Sequence, residues 1–308
     1  MVQTGLFWQN GSWARGVWFD QAYIDNGRNW LRPQYIWLNG DLISIDAAPE
    51  HFLPADYHDW LEGVRGYSTR RGPAIFRLND YLERFLHTLK QMTLEPGQTI
   101  PKLRQAVCQT VQANGLVESY IRPVVFYDAQ HRESGNGRPV IGIVAWRWPT
   151  WGPEMDEEKR HRHELAVTTH YGSHQGGAGV TLLSTTPTTE YTTETILVVR
   201  QGILYTAVNP PTLGSLMRDT VLTLGQGAGY DLRYTDLNRE MLRHADEVMV
   251  CTMADEVRGV WQIDGEKVGN GRTGPITRQL RQLVSDTARG LTQPPHGWLD
   301  YMDPDPII

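Results

Sequence analysis

The sequence predicts an α+β protein of two domains. Strand signals come as paired apolar runs joined by tight turns, as at Asn39-Gly40. Amphipathic helices interrupt them, over Asp80 to Leu89 and over residues 98–115. A breaker-laden, aperiodic stretch from Arg147 to Arg160, rich in Pro, Trp, Gly and acid, then divides the chain. The 308 residues, 40% of them hydrophobic, suffice for one large core or two medium ones.

Residues 1–34 form a Trp-rich N-terminal extension, with Trp8, Trp13, Trp18 and Trp30 among Gly and Asn. Such aromatics are costly to leave solvated, so packing on the body or on a second chain is expected. The first domain spans 35–146. Tyr35 to Ile45 reads as a hairpin, because Asn39-Gly40 supplies the positive φ values of a type I′ turn. Leu82, Phe85 and Leu89 share one helix face; Ile100, Leu103, Val107 and Val111 share another, with Asn114-Gly115 as its stop. Ser119 to Phe126 and Val140 to Trp146 are strands. Arg122 lies inside the first of these, and a buried strand cation requires an acidic partner or a ligand.

Residues 147–160 are the interdomain loop and 161–308 the second domain. Glu164–Tyr171, Val180–Leu183 and Thr195–Val199 read as strands. The Gln201-Gly202 turn, the strand Ile203–Thr206, a helix from Met217, a strand over Tyr230–Tyr234 and a short helix over Asn238–His244 follow. Glu247–Cys251 pairs with Gly259–Gly265, and a helix with Pro275 in its first turn closes the domain. Gly176-Gly177-Ala-Gly179 lacks the spacing of a dinucleotide loop and reads as a flexible splice.

Charge and composition narrow the function classes. A net charge of −6, with 25 arginines scattered and only four lysines, gives no basic footprint, so no nucleic-acid partner is expected. No apolar run approaches the ~18 residues of a membrane span, and the N-terminus is not built like a signal peptide. Cys108 and Cys251 stand far apart, as expected of free thiols in a reducing cytoplasm. His161, His163, His170 and His174 cluster, but a solvated charged run beside them is the simpler account, and no metal is expected.

Several motifs, in order, resemble one family. Tyr35-Ile-Trp-Leu-Asn-Gly40 resembles its opening IWFNG. Leu61-Glu-Gly-Val-Arg-Gly-Tyr67 and Gly72-Pro-Ala-Ile-Phe-Arg-Leu78 resemble its FEGIR-Y and GP-x-x-F-R strands. Tyr120-Ile-Arg122-Pro resembles its YIRP. Glu190-Tyr-Thr-Thr-Glu194-Thr-Ile resembles E-G-x-G-E-N-[IL]-F. These mark a resemblance to the class IV aminotransferases of fold type IV, the branched-chain amino acid aminotransferases above all. The resemblance covers about residues 35–302. It implies a two-domain fold with an interdomain cleft, a homodimer and pyridoxal phosphate. It places Glu190 on the pyridine nitrogen, Arg84 on the phosphate, and Tyr120 and Arg122 on the substrate side. A local ion pair with Asp80 is the other reading of Arg84.

The chain also departs from that pattern. The family's Schiff-base lysine has no counterpart: Tyr171 and Val180 are joined by Gly-Ser-His-Gln-Gly-Gly-Ala-Gly. Met217 and Met253 stand where the family places phosphate-binding threonines, in Leu213-Gly-Ser-Leu-Met217-Arg-Asp219 and Thr252-Met253-Ala-Asp-Glu256. These losses predict that no cofactor is used, with non-covalent pyridoxal phosphate left open. The expectation is then a cytoplasmic, pyridoxal-phosphate-independent enzyme for a small amino-acid-derived carboxylate. Glu190, His58 and Asp56 would move protons, and Arg122, Tyr120 and Arg84 would bind substrate. A surface turn after Pro54 is the other reading of Asp56 and His58. A non-catalytic binding or scaffolding protein is the alternative function, and a transaminase or lyase holding pyridoxal phosphate without the lysine a second.

Overall fold

The computed structural model describes residues 8–9, 12–13, 33–47, 63–91, 93–95, 97–127, 139–148, 165–174, 177–185, 188–191, 195–207, 215–295 and 297–302. The chain divides into two compact units, Met1–Thr150 with Ala288–Ile308, and Trp151–Thr287.

Strands β1 (Trp8–Gln9) and β2 (Ser12–Trp13) form a small antiparallel pair. The main sheet of the first unit has seven strands. These are β3 (Tyr35–Leu38), β4 (Asp41–Ser44), β5 (Val64–Thr69), β6 (Gly72–Phe76), β7 (Ser119–Tyr127), β8 (Pro139–Arg147) and, from the chain's end, β18 (Leu299–Tyr301). Their order is β18-β6-β5-β7-β8-β3-β4, antiparallel throughout. Asn39 and Gly40 carry φ of 49° and 134° in the β3–β4 turn. The expected second domain of 161–308 therefore gives up its last segment, because β18 completes the first unit's sheet along β6.

Helices α1 (Leu78–Gln91) and α2 (Ile100–Ala113) pack together, and α2 lies against β3, β7 and β8. Leu82, Phe85, Leu89, Leu103, Val107 and Val111 are all buried, as their spacing requires. The Asn114 side chain ties the end of α2 to β3. Its Oδ1 accepts from the Gln34 and Tyr35 amides at 2.7 and 3.1 Å, and its Nδ2 donates to the Tyr35 carbonyl at 2.8 Å.

The second unit holds a nine-stranded mixed sheet. Its members are β9 (Leu165–His174), β10 (Gly177–Thr185), β11 (Thr188–Tyr191), β12 (Ile196–Arg200), β13 (Ile203–Thr206), β14 (Leu232–Tyr234), β15 (Glu247–Thr252), β16 (Glu256–Ile263) and β17 (Glu266–Lys267). The order is β11-β10-β9-β16-β15-β12-β13-β14, with β17 beside β16. Gly177 and Gly179 are ladder residues paired with His174 and Gly172, so this part of the stretch expected to be flexible is strand, while Gly176 lies outside the described residues.

Leu165, Val167, Ile196, Val198, Val248, Val250 and Val260 form the core of one sheet face. Beneath it lies the short helix α4 (Arg239–Arg243), which buries Leu242. Helices α3 (Leu216–Gly227) and α5 (Pro275–Ala288) complete the unit, and Gly225 of α3 fits between Leu204 and Leu280. The first turn of α5 is closed by Glu247 of β15. No described helix is long and apolar enough to cross a membrane.

Candidate functional site

Two of the expected substrate-binding residues come together on the first unit's sheet. Directly opposed residues of adjacent strands share a face. The ladders pair Arg65 with Tyr120 and Tyr120 with Trp146, so these three form one row across β5, β7 and β8. Arg122 stands two residues further along β7, on the same face, opposite Val144. The alternate row, Val64, Ile121 and Ala145, is wholly aliphatic and fully buried. The sheet thus keeps one set of rows for core and gives the other to cations and aromatics.

Each member of the polar row is held in place. Tyr120 Oη accepts a 2.7 Å hydrogen bond from the Gly63 amide. Its ring lies 5.3 Å from both Trp146 and Trp148. The Arg65 guanidinium stacks over Tyr67 at 4.9 Å, and that of Arg289 lies 5.8 Å from the same ring. Arg289 also bonds the Glu118 carboxylate at 2.9 Å, which in turn accepts from the Ser68 amide at 3.1 Å. Arg65 is fully buried and Arg122 is 4% exposed. Guanidinium ions so far from water are retained where they meet aromatic faces, hydrogen-bond acceptors or an anionic ligand.

Gly63 is dictated by Tyr120. A Cβ there would lie 2.5 Å from the tyrosine ring and 2.6 Å from the Ile121 carbonyl. Gly63→Ala is expected to displace the ring and to cost about 2 kcal/mol as overpacking. Urea unfolding and the near-ultraviolet circular dichroism of the neighbouring tryptophans check this. An unchanged spectrum and midpoint would contradict the close fit.

Arg84 is half-buried on α1. The carboxylate of Asp80, in the first turn of α1, pairs with Arg77 at 2.6 Å.

In the second unit, Ser215 caps α3. Its Oγ accepts from the Arg218 amide at 3.3 Å and donates to the Cys251 carbonyl at 3.1 Å, pinning the helix start to β15. Met217 and Met253 are both fully buried there. The β15–β16 turn is closed by the Thr252 hydroxyl, which accepts from the Asp255 amide at 2.9 Å. Asp255 pairs with Arg258 at 3.3 Å, and Glu256 holds a positive φ of 59°. Glu190 lies on β11 opposite Leu183. Its side chain, and Asp56 and His58 altogether, lie outside the described residues, as do His161 and His163. Among the described residues no group of three or more His, Cys, Asp or Glu is placed to hold a metal.

Sequence reasoning singled out Arg122 but passed over Arg65, Tyr67 and the two tryptophans. The signal was the same in both strands: an arginine alternating with an aromatic among apolar residues. Asp255 and Arg258 left no such signal, since a three-residue turn brings them together.

The comparisons with known proteins agree with one another. The family model for amino-transferase class IV matches residues 61–263. The branched-chain-amino-acid aminotransferase of Pseudomonas aeruginosa is 29% identical over 301 residues, covering 87% of this chain and 97% of the relative. That of Escherichia coli K12 is 27% identical over 308 residues, covering 88% and 98%. The crystal structure of the T.th. branched-chain amino acid aminotransferase with pyridoxamine 5′-phosphate superposes with a TM-score of 0.75 at 25% identity, covering 89% and 100%.

These findings correct one expectation. The losses around the cofactor positions predicted that no cofactor is used. The relatives and the pyridoxamine-phosphate structure point instead to pyridoxal phosphate. The described lysines do not fit the covalent attachment, because Lys90, Lys102 and Lys267 are all exposed, and Lys159 lies outside the described residues.

Proposed function

The chain belongs to the class IV aminotransferases, and from that membership we propose an enzyme of the branched-chain type, acting on a small aliphatic amino acid or its 2-oxo acid with pyridoxal phosphate as cofactor. The observation that carries the reading is the row of Arg65, Tyr120 and Trp146 with Arg122 beside it. A small amino acid is a carboxylate on a compact apolar body. Arg122 supplies a bidentate, always-charged partner for the carboxylate. Tyr120 and the tryptophans supply apolar surface whose geometry is fixed by packing. Names of the relatives support the aliphatic assignment.

On this reading Arg84 serves the cofactor phosphate and Glu190 the pyridine nitrogen, as the resemblance assigns them. His58 and Asp56 are the proposed proton carriers at the substrate. The protein is proposed to work as a cytoplasmic homodimer. Sedimentation equilibrium checks the dimer, which a monomer at micromolar concentration would contradict.

The manner of cofactor binding is tested by borohydride reduction of the protein loaded with pyridoxal phosphate, followed by peptide mapping. Label on Lys159 alone gives a covalent site on the remaining candidate lysine. A saturable, dialysis-resistant chromophore without lysine label gives a site that holds the group by its phosphate and ring. Scattered label on Lys90, Lys102 and Lys267 without saturable binding would contradict the proposal.

A further inference from the structure

The second unit carries a cavity of its own. This cavity of about 210 Å³ opens between α4 and the β16–β17 hairpin. Its floor is apolar: Leu242, Ile263 and Val268, all under 9% exposed and all members of the unit's hydrophobic core. Its rim carries three cations, Arg239, Arg243 and Lys267, and two acids, Asp264 and Glu266.

The acids leave the rim undercompensated. Asp264 is engaged on its other side, where Oδ1 accepts from the Thr169 amide at 2.7 Å and Oδ2 from the Thr169 hydroxyl at 2.5 Å. Glu266 meets Arg243 at 3.4 Å, with side chains 67% and 60% exposed, a geometry in which a pair contributes little. Neither Arg239 nor Lys267 has a carboxylate partner among the described residues. The Lys267 stem is nevertheless placed. It runs along Gly271, where a Cβ would lie 2.9 Å from Lys267 Cδ. The hairpin turn that presents it is fixed by Asp264 and Gly265, with φ of 49° and 83°. Three cations against two acids leave one net positive charge over an apolar floor.

We propose that this cavity binds a small aliphatic monocarboxylate, its chain on Leu242, Ile263 and Val268 and its carboxylate between Arg239 and Lys267. A single surplus charge suits a monoanion. The apolar floor favours an alkyl body over a hydrated inorganic anion, because burying that body removes apolar surface from water. The exposed rim makes binding sensitive to salt.

Saturation-transfer difference NMR with 3-methylbutanoate on the full chain tests it. With the first unit's carboxylate partner removed in Arg122→Met, saturation is expected to transfer to the methyl protons, and adding Arg239→Ala/Lys267→Ala is expected to weaken that binding about tenfold. Both side chains are on the surface, so the fold survives their loss. The variant Arg122→Met separates this site from the one in the first unit and is expected to keep the signal. No signal from Arg122→Met, or an affinity there that the two added alanine substitutions leave unchanged, would overturn the proposal. Displacement by an equal concentration of inorganic phosphate would overturn the aliphatic assignment.

Discussion

Replacing Arg122 by methionine is expected to lower kcat/KM for a small amino acid about a hundredfold, with most of the change in KM. The side chain lies 4% exposed in β7, in the row next to Arg65, Tyr120 and Trp146. A charge-assisted, two-point hydrogen bond to a carboxylate contributes about 3 kcal/mol, and each 1.4 kcal/mol is a factor of ten. Methionine keeps most of the volume and the apolar stem, so the unfolding midpoint should move little. Lysine keeps the charge but loses the two-pronged geometry and is expected to fall between the two. If kcat alone fell while KM held, Arg122 would act on the chemistry and not on carboxylate binding.

The second large effect concerns stability. Glu247 is 6% exposed on β15, and its carboxylate closes the first turn of α5. Oε1 accepts from the Ile276 amide at 3.0 Å; Oε2 accepts from the Thr277 amide at 2.7 Å and from the Thr277 hydroxyl at 2.6 Å. A helix start has unsatisfied N–H groups and the positive end of the dipole, and both favour an anion there. Glu247→Ala removes three charged hydrogen bonds and leaves the half-buried Ile276 amide and the buried Thr277 amide without their acceptor. The expected loss is about 3 kcal/mol in urea unfolding. Gly274 supplies an internal control, since a Cβ there would collide with the Glu247 carboxylate. Gly274→Ala should destabilise the unaltered protein and cost far less in the Glu247→Ala background. Additive effects in the double variant would mean that the clash is relieved elsewhere.

Much of the fold was legible because its signals are local. The spacing of Leu82, Phe85 and Leu89 gave α1, and Asn39-Gly40 gave a hairpin whose turn residues hold positive φ. The pairing of β18 with β6 was not legible, since nothing within Leu299–Tyr301 names a partner more than two hundred residues earlier. Gly177 and Gly179 misled for a physical reason. Glycine weakens a strand, yet it pairs in a ladder when a neighbouring strand fixes the backbone, as β9 does for Gly177 and Gly179. Of the candidate site, Arg122 could be read from a cation inside an apolar strand, and Tyr120 from the YIRP resemblance. Arg65 offered the same pattern and was missed. Glu247 was hidden, because a carboxylate in an apolar strand declares its purpose only when the helix start it caps is brought beside it.

An absorption titration of the purified protein with pyridoxal phosphate, followed by L-leucine, tests the proposed function most directly. The expected result is a saturable band that survives dialysis and shifts when leucine is added, with the shift needing about a hundredfold more leucine in Arg122→Met. A spectrum that is the sum of protein and free cofactor, unchanged by leucine, would contradict it.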